Sequence, residues 1–80
     1  MEGKVKVEKL KAELGLIIRR KRHKLNISQE ELADKANIHR TYISSIELAK
    51  VDVGIGVALK IAAALGIPLN KLIKEAENNL

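Results

Sequence analysis

Residues 55–67 set the tightest limit on what this chain can fold into. Ten of these thirteen residues are apolar, and only Gly56, Lys60 and Gly66 interrupt them. A helix with hydrocarbon on nearly every side belongs in the middle of a core, with other elements wrapped around it. Those elements must come from the rest of an 80-residue chain, about the size of one small domain. Its unbroken apolar runs are too short to cross a bilayer, and its lysine-rich N-terminus lacks the apolar stretch of a signal peptide. Cysteine is absent, so neither disulfides nor thiolate ligands can supplement the core. Two histidines, His23 and His39, are too few for a structural zinc site. The expectation is therefore a cytoplasmic, all-α domain that needs no metal and no other cofactor.

The net charge of +5 is unevenly placed. Residues 1–27 hold nine Lys/Arg against three Glu, whereas residues 28–80 hold six against seven Asp/Glu. The densest stretch is Arg19-Arg20-Lys21-Arg22-His23-Lys24. Such a run is either the footprint of a polyanion or simply a solvated helix face, and the run alone does not decide between them.

Five short helices are predicted. Leu10, Leu14, Ile18 and Leu25 recur at helical spacing and place the first over residues 9–24, closed by Asn26. Residues 1–8 are either an extension of that helix or an N-terminal arm; residues 9–80 form the single domain. The second helix has the clearest start: Ser28 and Glu31 make a capping box, flanked by Ile27 and Leu32 as a hydrophobic staple. It runs over residues 29–36 and ends at Asn37, which tolerates the left-handed conformation. A third helix follows at once over residues 39–48, with Ile43 and Ile46 inward. Residues 49–54 read as a loop, residues 55–67 as the apolar helix ended by Gly66, and Pro68 opens a fifth helix over residues 69–77.

Two helices joined by so short a turn, the second presenting polar residues, have the layout of a DNA-reading helix-turn-helix spanning residues 29–48. Ala33 is small where the helices must cross, and Asn37 stands at the turn. Taken together, the segments Leu14-Gly15-x-x-Ile18-x-x-x-Arg22, Ile27-Ser28-Gln29-Glu30-Glu31-Leu32-Ala33 and Ile43-x-x-Ile46-Glu47 resemble the lambda-repressor-like (Xre-type) helix-turn-helix domain over about residues 10–72. Within them, His39-Arg40-Thr41-Tyr42-Ile43-Ser44 is similar to the controller proteins of restriction–modification systems. The chain departs from that pattern where Asn37 and Ala49 replace the usual Gly, and where Val51-Asp52-Val53 replaces a basic residue and Asn-Pro.

On the third helix, Arg40, Thr41, Ser44, Ser45 and Leu48 look outward. Recognition helices read bases mainly with their N-terminal residues, so Arg40 is the first candidate for a bidentate guanine contact, with Thr41, Ser44 and Ser45 beside it. The candidate backbone contacts are Arg19, Arg22, Lys24, Ser28, Gln29, His39, Tyr42 and Lys50. Ser28 has a structural role as a cap; the resemblance adds phosphate contact by Ser28 and Gln29 at a helix N-terminus. His39 reads first as a cap or satisfied neighbour, and His23 as part of the basic face. Tyr42 either packs beside Ile38 or places its hydroxyl on a phosphate. Arg22 and Glu47 each interrupt an apolar stripe, and together they can form an ion pair across the interior. The resemblance implies the same pair, with Arg22 also near the DNA backbone.

One recognition helix reads only a few base pairs, so a homodimer on a near-palindromic operator is expected, with half-sites about 34 Å apart. Ile67, Leu69, Leu72, Ile73 and Ala76 are its candidate interface: the stripe Leu69, Leu72, Ile73 and Ala76 exceeds what one small core needs, although part of it finishes that core, and the resemblance implies pairing through this region. The function expected is transcription regulation through double-stranded DNA, with RNA polymerase a further candidate partner. A phage-type repressor or an antitoxin shares the fold, and a protein-interaction or RNA-binding module is the alternative from another class. An enzyme and a small-molecule ligand are not expected, because five short helices leave little room for a pocket.

Overall fold

Helix ends, more than helix interiors, organise this molecule. The computed structural model describes residues 2–80, so Met1 lies outside it. Its five helices are α1 (Glu2–Lys24), α2 (Gln29–Ala36), α3 (Arg40–Glu47), α4 (Ile55–Leu65) and α5 (Leu69–Asn78). Four of them close in one way. Asn26, Asn37, Ala49 and Gly66 take left-handed backbone at φ 59, 56, 58 and 77°. After each, the next residue's N–H reaches back to a carbonyl of the last turn: Ile27 to Arg22, Ile38 to Ala33, Lys50 to Ser45, and Ile67 to Ala62. These paired bonds satisfy carbonyls that a helix terminus otherwise leaves bare. Only one of the four left-handed residues is glycine.

α2 begins as its sequence predicts. Ser28 Oγ accepts from the Glu31 N–H at 3.0 Å, and Glu31 Oε1 accepts from the Ser28 N–H at 2.9 Å. The α2–α3 connection is only Asn37, Ile38 and His39, and His39 caps α3 by accepting the Thr41 N–H on Nδ1 at 3.1 Å. That contact confirms the cap role expected for His39.

The core joins all five helices. Ile18, Leu32, Ile43, Ile46, Ile61 and Leu72 are its largest fully buried side chains, and Ala33 is buried where α2 meets α3. α1 packs on α5 and α3, α2 on α3 and α4, and α4 on α5. Gly15 makes the α1–α3 approach possible: a Cβ there would stand 2.6 Å from the Ile46 carbonyl oxygen and 2.7 Å from that of Glu47. Lys21 and Glu75 tie α1 to α5 at 2.9 Å, and Lys11 holds Asp52 of the α3–α4 loop at 3.2 Å. No single helix among the described residues is long and apolar enough to cross a membrane.

Of the two readings of the N-terminal residues, the helix extension holds: residues 2–8 continue α1, which makes the helix about 34 Å long at 1.5 Å per residue in a molecule 37 Å along its longest axis. Two other expectations need correction. Leu25 stands beyond the end of α1 and is exposed; Ile17 takes its place in the core. Finally, α4 is not enclosed on every side. Ala58, Ile61, Ala62 and Leu65 face inward, but Ile55 is 81% and Leu59 56% exposed. α2 and α5 cover one face of α4 and leave the opposite face bare.

Candidate nucleic-acid interface

The turn between α2 and α3 brings the N-termini of both helices to one side of the molecule. There, Ser28, Gln29, Glu30, Arg40, Thr41 and Ser44 line an open cleft of about 500 Å³, with Arg22 at its wall. The N-termini of two short helices, each with one N–H taken by its cap, therefore border one space with their polar side chains, an arrangement suited to an anion.

Beneath the cleft lies the Arg22–Glu47 pair, and both residues are buried. Arg22 Nε donates to Glu47 Oε2 at 2.7 Å and Nη2 to Oε1 at 3.0 Å, a bidentate contact. Nη1 donates to the Ile27 carbonyl at 3.0 Å, and the His23 Nε2 lies 3.2 Å from Nη2. Three of the five guanidinium N–H groups are thus given to oxygen acceptors, and a fourth is engaged when His23 Nε2 is the unprotonated ring nitrogen. Hydrogen bonding to Glu47 raises the Arg22 pKa further above its ordinary value, so the charge persists despite burial. Glu47 also accepts from Gln29 Nε2 at 3.1 Å. One buried carboxylate thereby orients two side chains toward the cleft.

Ser28 serves the cap without being exhausted by it. Its oxygen accepts the Glu31 N–H, and its hydroxyl hydrogen is a donor shared between the Glu31 carboxylate and the cleft. Arg40 and Thr41 stand exposed at the start of α3, and Ser44 is half-buried one turn on. Of the residues expected at the interface, Arg22, Ser28, Gln29, Arg40, Thr41 and Ser44 converge on this cleft. Ser45 and Tyr42 are half-buried outside its lining, with Tyr42 packed against the core; Arg19 and Lys50 are exposed away from it. Lys24 lines a different groove with Lys21, Lys71 and Ile67.

Glu30 was not anticipated. Its Oε2 lies 3.7 Å from Arg40 Nη1. The sequence signals its position only as the second residue of α2, because which α3 side chain it meets depends on the crossing of the two helices.

Midway along α1, a groove of about 390 Å³ runs between α1, α4 and α5, lined by Leu10, Leu14, Val53, Ile55, Ala58, Leu69 and Ile73. The candidate dimer interface divides here. Leu69 and Ile73 line this groove, whereas Leu72 and Ala76 are fully buried within the chain's own core and offer no surface. A ten-residue helix has one inward face, and these two residues occupy it. Ile67 belongs to the separate groove with Lys24.

The profile of the helix-turn-helix family matches residues 18–72 of this chain. The control protein C.MunI of a Mycoplasma species is 40% identical over 57 residues, covering 71% of this chain and 77% of that protein. The control protein C.BamHI of Bacillus amyloliquefaciens is 44% identical over 50 residues, covering 62% of each. Among solved structures, the restriction-modification controller protein C.AhdI from Aeromonas hydrophila superposes with a TM-score of 0.75. It is 31% identical, over 78% of this chain and 94% of that one.

Proposed function

Because this chain belongs to the helix-turn-helix (Xre-type) family of DNA-binding regulators, with restriction–modification control proteins among its relatives, we propose that it regulates transcription as a homodimer on a near-palindromic operator. The observation that carries this reading is the convergence of Arg22, Ser28, Gln29, Arg40, Thr41 and Ser44 on one cleft. In it, α3 lies in the major groove and Arg40 reads guanine, with Thr41 and Ser44 beside it. Arg22, Gln29 and Ser28 hold the phosphates that flank the groove. Contacts of the first kind specify the sequence; those of the second fix the register.

The dimer forms through the apolar end. Ile55 and Leu59 project from α4 beside the groove lined by Leu69 and Ile73, so a two-fold pairing can bring the projecting side chains of each protomer to the groove of the other. The protein acts in the cytoplasm, with RNA polymerase as its partner at the promoter.

Selection from a random DNA pool, followed by titration of the winning duplex, tests this. A near-palindrome is expected, with affinity falling steeply with salt as roughly 6–10 phosphates are neutralised per dimer. Arg40→Ala costs about 1–3 kcal/mol at one base pair of each half-site. Recovery of no preferred sequence, or tighter binding of RNA than of the winning duplex in the same titration, sinks the proposal.

A further inference from the structure

Among the described residues lining the cleft, Glu30 alone is acidic. Its neighbours are accounted for: Ser28 and Glu31 form the cap, and Gln29 is held by Glu47. Glu30 takes no part in the cap or the core. Its carboxylate instead faces Arg40, with Oε2 3.7 Å from Nη1 and both side chains about two-thirds exposed. A carboxylate in the first turn of a helix favours that helix modestly, but this holds wherever around the helix it points. On a surface meant for phosphates, a negative charge weakens binding unless it does something else there.

We propose that Glu30 is a positioning residue for Arg40. The inference rests on the reading of Arg40 as the guanine contact. A guanidinium carries its donors on two edges. The contact at Nη1 leaves the Nε–Nη2 edge free to meet O6 and N7 of a guanine as a fork. It also draws Arg40 away from the phosphates, which any DNA sequence supplies. Glu30 thus acts on the difference between right and wrong sites, over and above the effect of its charge on overall affinity. It raises the cost of a nonspecific phosphate contact by Arg40 and pre-orients the specific one. In free solution an exposed pair of this kind is weak; once DNA covers the cleft and displaces water, the same pair is stronger.

The test is competition binding with the full-length chain, using the selected operator and a duplex substituted at the base pair where Arg40→Ala relaxes preference. Glu30→Gln is expected to bind the substituted duplex more tightly and to lower the operator-to-substituted ratio by about fivefold, the upper range for an exposed pair. Glu30→Asp keeps the charge but retracts it by one methylene. It should lower the ratio without the general gain in affinity. In an Arg40→Ala background, Glu30→Gln should leave the ratio unchanged. Equal strengthening of both duplexes by Glu30→Gln overturns the inference, because a bulk charge effect would then explain everything. An unchanged ratio in Glu30→Gln overturns it as well. If the unmodified protein prefers no sequence, the DNA-reading assignment fails first and the inference fails with it. Melting followed by circular dichroism checks that each variant is folded.

Discussion

At the cleft end, Arg22 and Glu47 occupy places in helical stripes that otherwise hold Ile18 and Ile43, and both are withdrawn from water. At the far end, Ile55 and Leu59 occupy solvent-facing places on α4 that a lone domain would fill with polar residues. Both ends break the rule that charge lies outside and hydrocarbon inside, in opposite directions. At the cleft, the buried charges are answered within the chain, by a bidentate contact and three further polar neighbours. At the far end, the exposed hydrocarbon is not covered by any of the described residues. The first kind of misplacement organises a surface, and the second is the one on which the proposed dimer rests.

The contrast can be broken most forcefully at the cleft. Arg22→Ala should destabilise folding by about 3 kcal/mol, the low end for a buried pair because Arg22 reaches the cleft wall, by stranding Glu47 without its partner. Urea denaturation would read it. The paired change Arg22→Met with Glu47→Leu should restore most of that stability while DNA affinity stays low. Equal DNA binding by the double variant would show that the pair only holds the fold. Gly15→Ala should cost about 1–3 kcal/mol, because its methyl would meet two backbone carbonyls at the end of α3. Wild-type thermal stability in that variant would mean α1 and α3 can separate freely.

The far end should respond differently. Ile55→Ser with Leu59→Ser is expected to change the folding free energy by less than about 0.5 kcal/mol, since both side chains are exposed in the single chain. Yet sedimentation should shift from dimer to monomer. A dimer that survives this change places the interface elsewhere. The smallest effect concerns acid. The Ser28 backbone N–H, and then its hydroxyl, pull the Glu31 carboxyl below its ordinary pKa. The folded state therefore releases that proton more readily than the unfolded one. The cap's contribution is complete above the ordinary glutamate range, about pH 4.3, and is lost as pH falls through the lower folded value. Below that range the unmodified chain should lose stability slightly faster than Glu31→Gln, with no matching change in assembly. Parallel acid melts of the two proteins check it.

Much of this was written locally. The capping box at Ser28 and Glu31 is a contact between neighbours in sequence, so its pattern and its geometry are one thing. The Arg22–Glu47 pair spans 25 residues, yet it was legible because each residue broke an apolar stripe and only the other could satisfy it. The faces of α4 were less legible. Ten apolar residues in thirteen erase the periodicity that would tell inside from outside, and only the packing of α2 and α5 decides. The left-handed turn at Ala49, at φ 58°, was marked only by the family's usual Gly at that position, because alanine itself carries no sign of the conformation. Leu72 and Ile73 shared a stripe, and one residue of helical rotation sends the first inward and leaves the second half-exposed.

α1 has a mechanical consequence. It carries Leu10 in the apolar groove and Arg22 at the cleft wall on one unbroken helix. Twelve residues of helix are a rigid lever about 18 Å long. In a two-fold pair joined at the groove, a tilt of about 10° at the joint displaces each cleft by about 3 Å, close to the 3.4 Å separation of stacked base pairs. In the proposed dimer, the hydrocarbon at the joint would therefore gauge the distance between the two half-sites. A methyl group gained or lost at Ile55 or Ile73 would then retune the preferred operator by about a base pair while leaving every residue of the cleft in place.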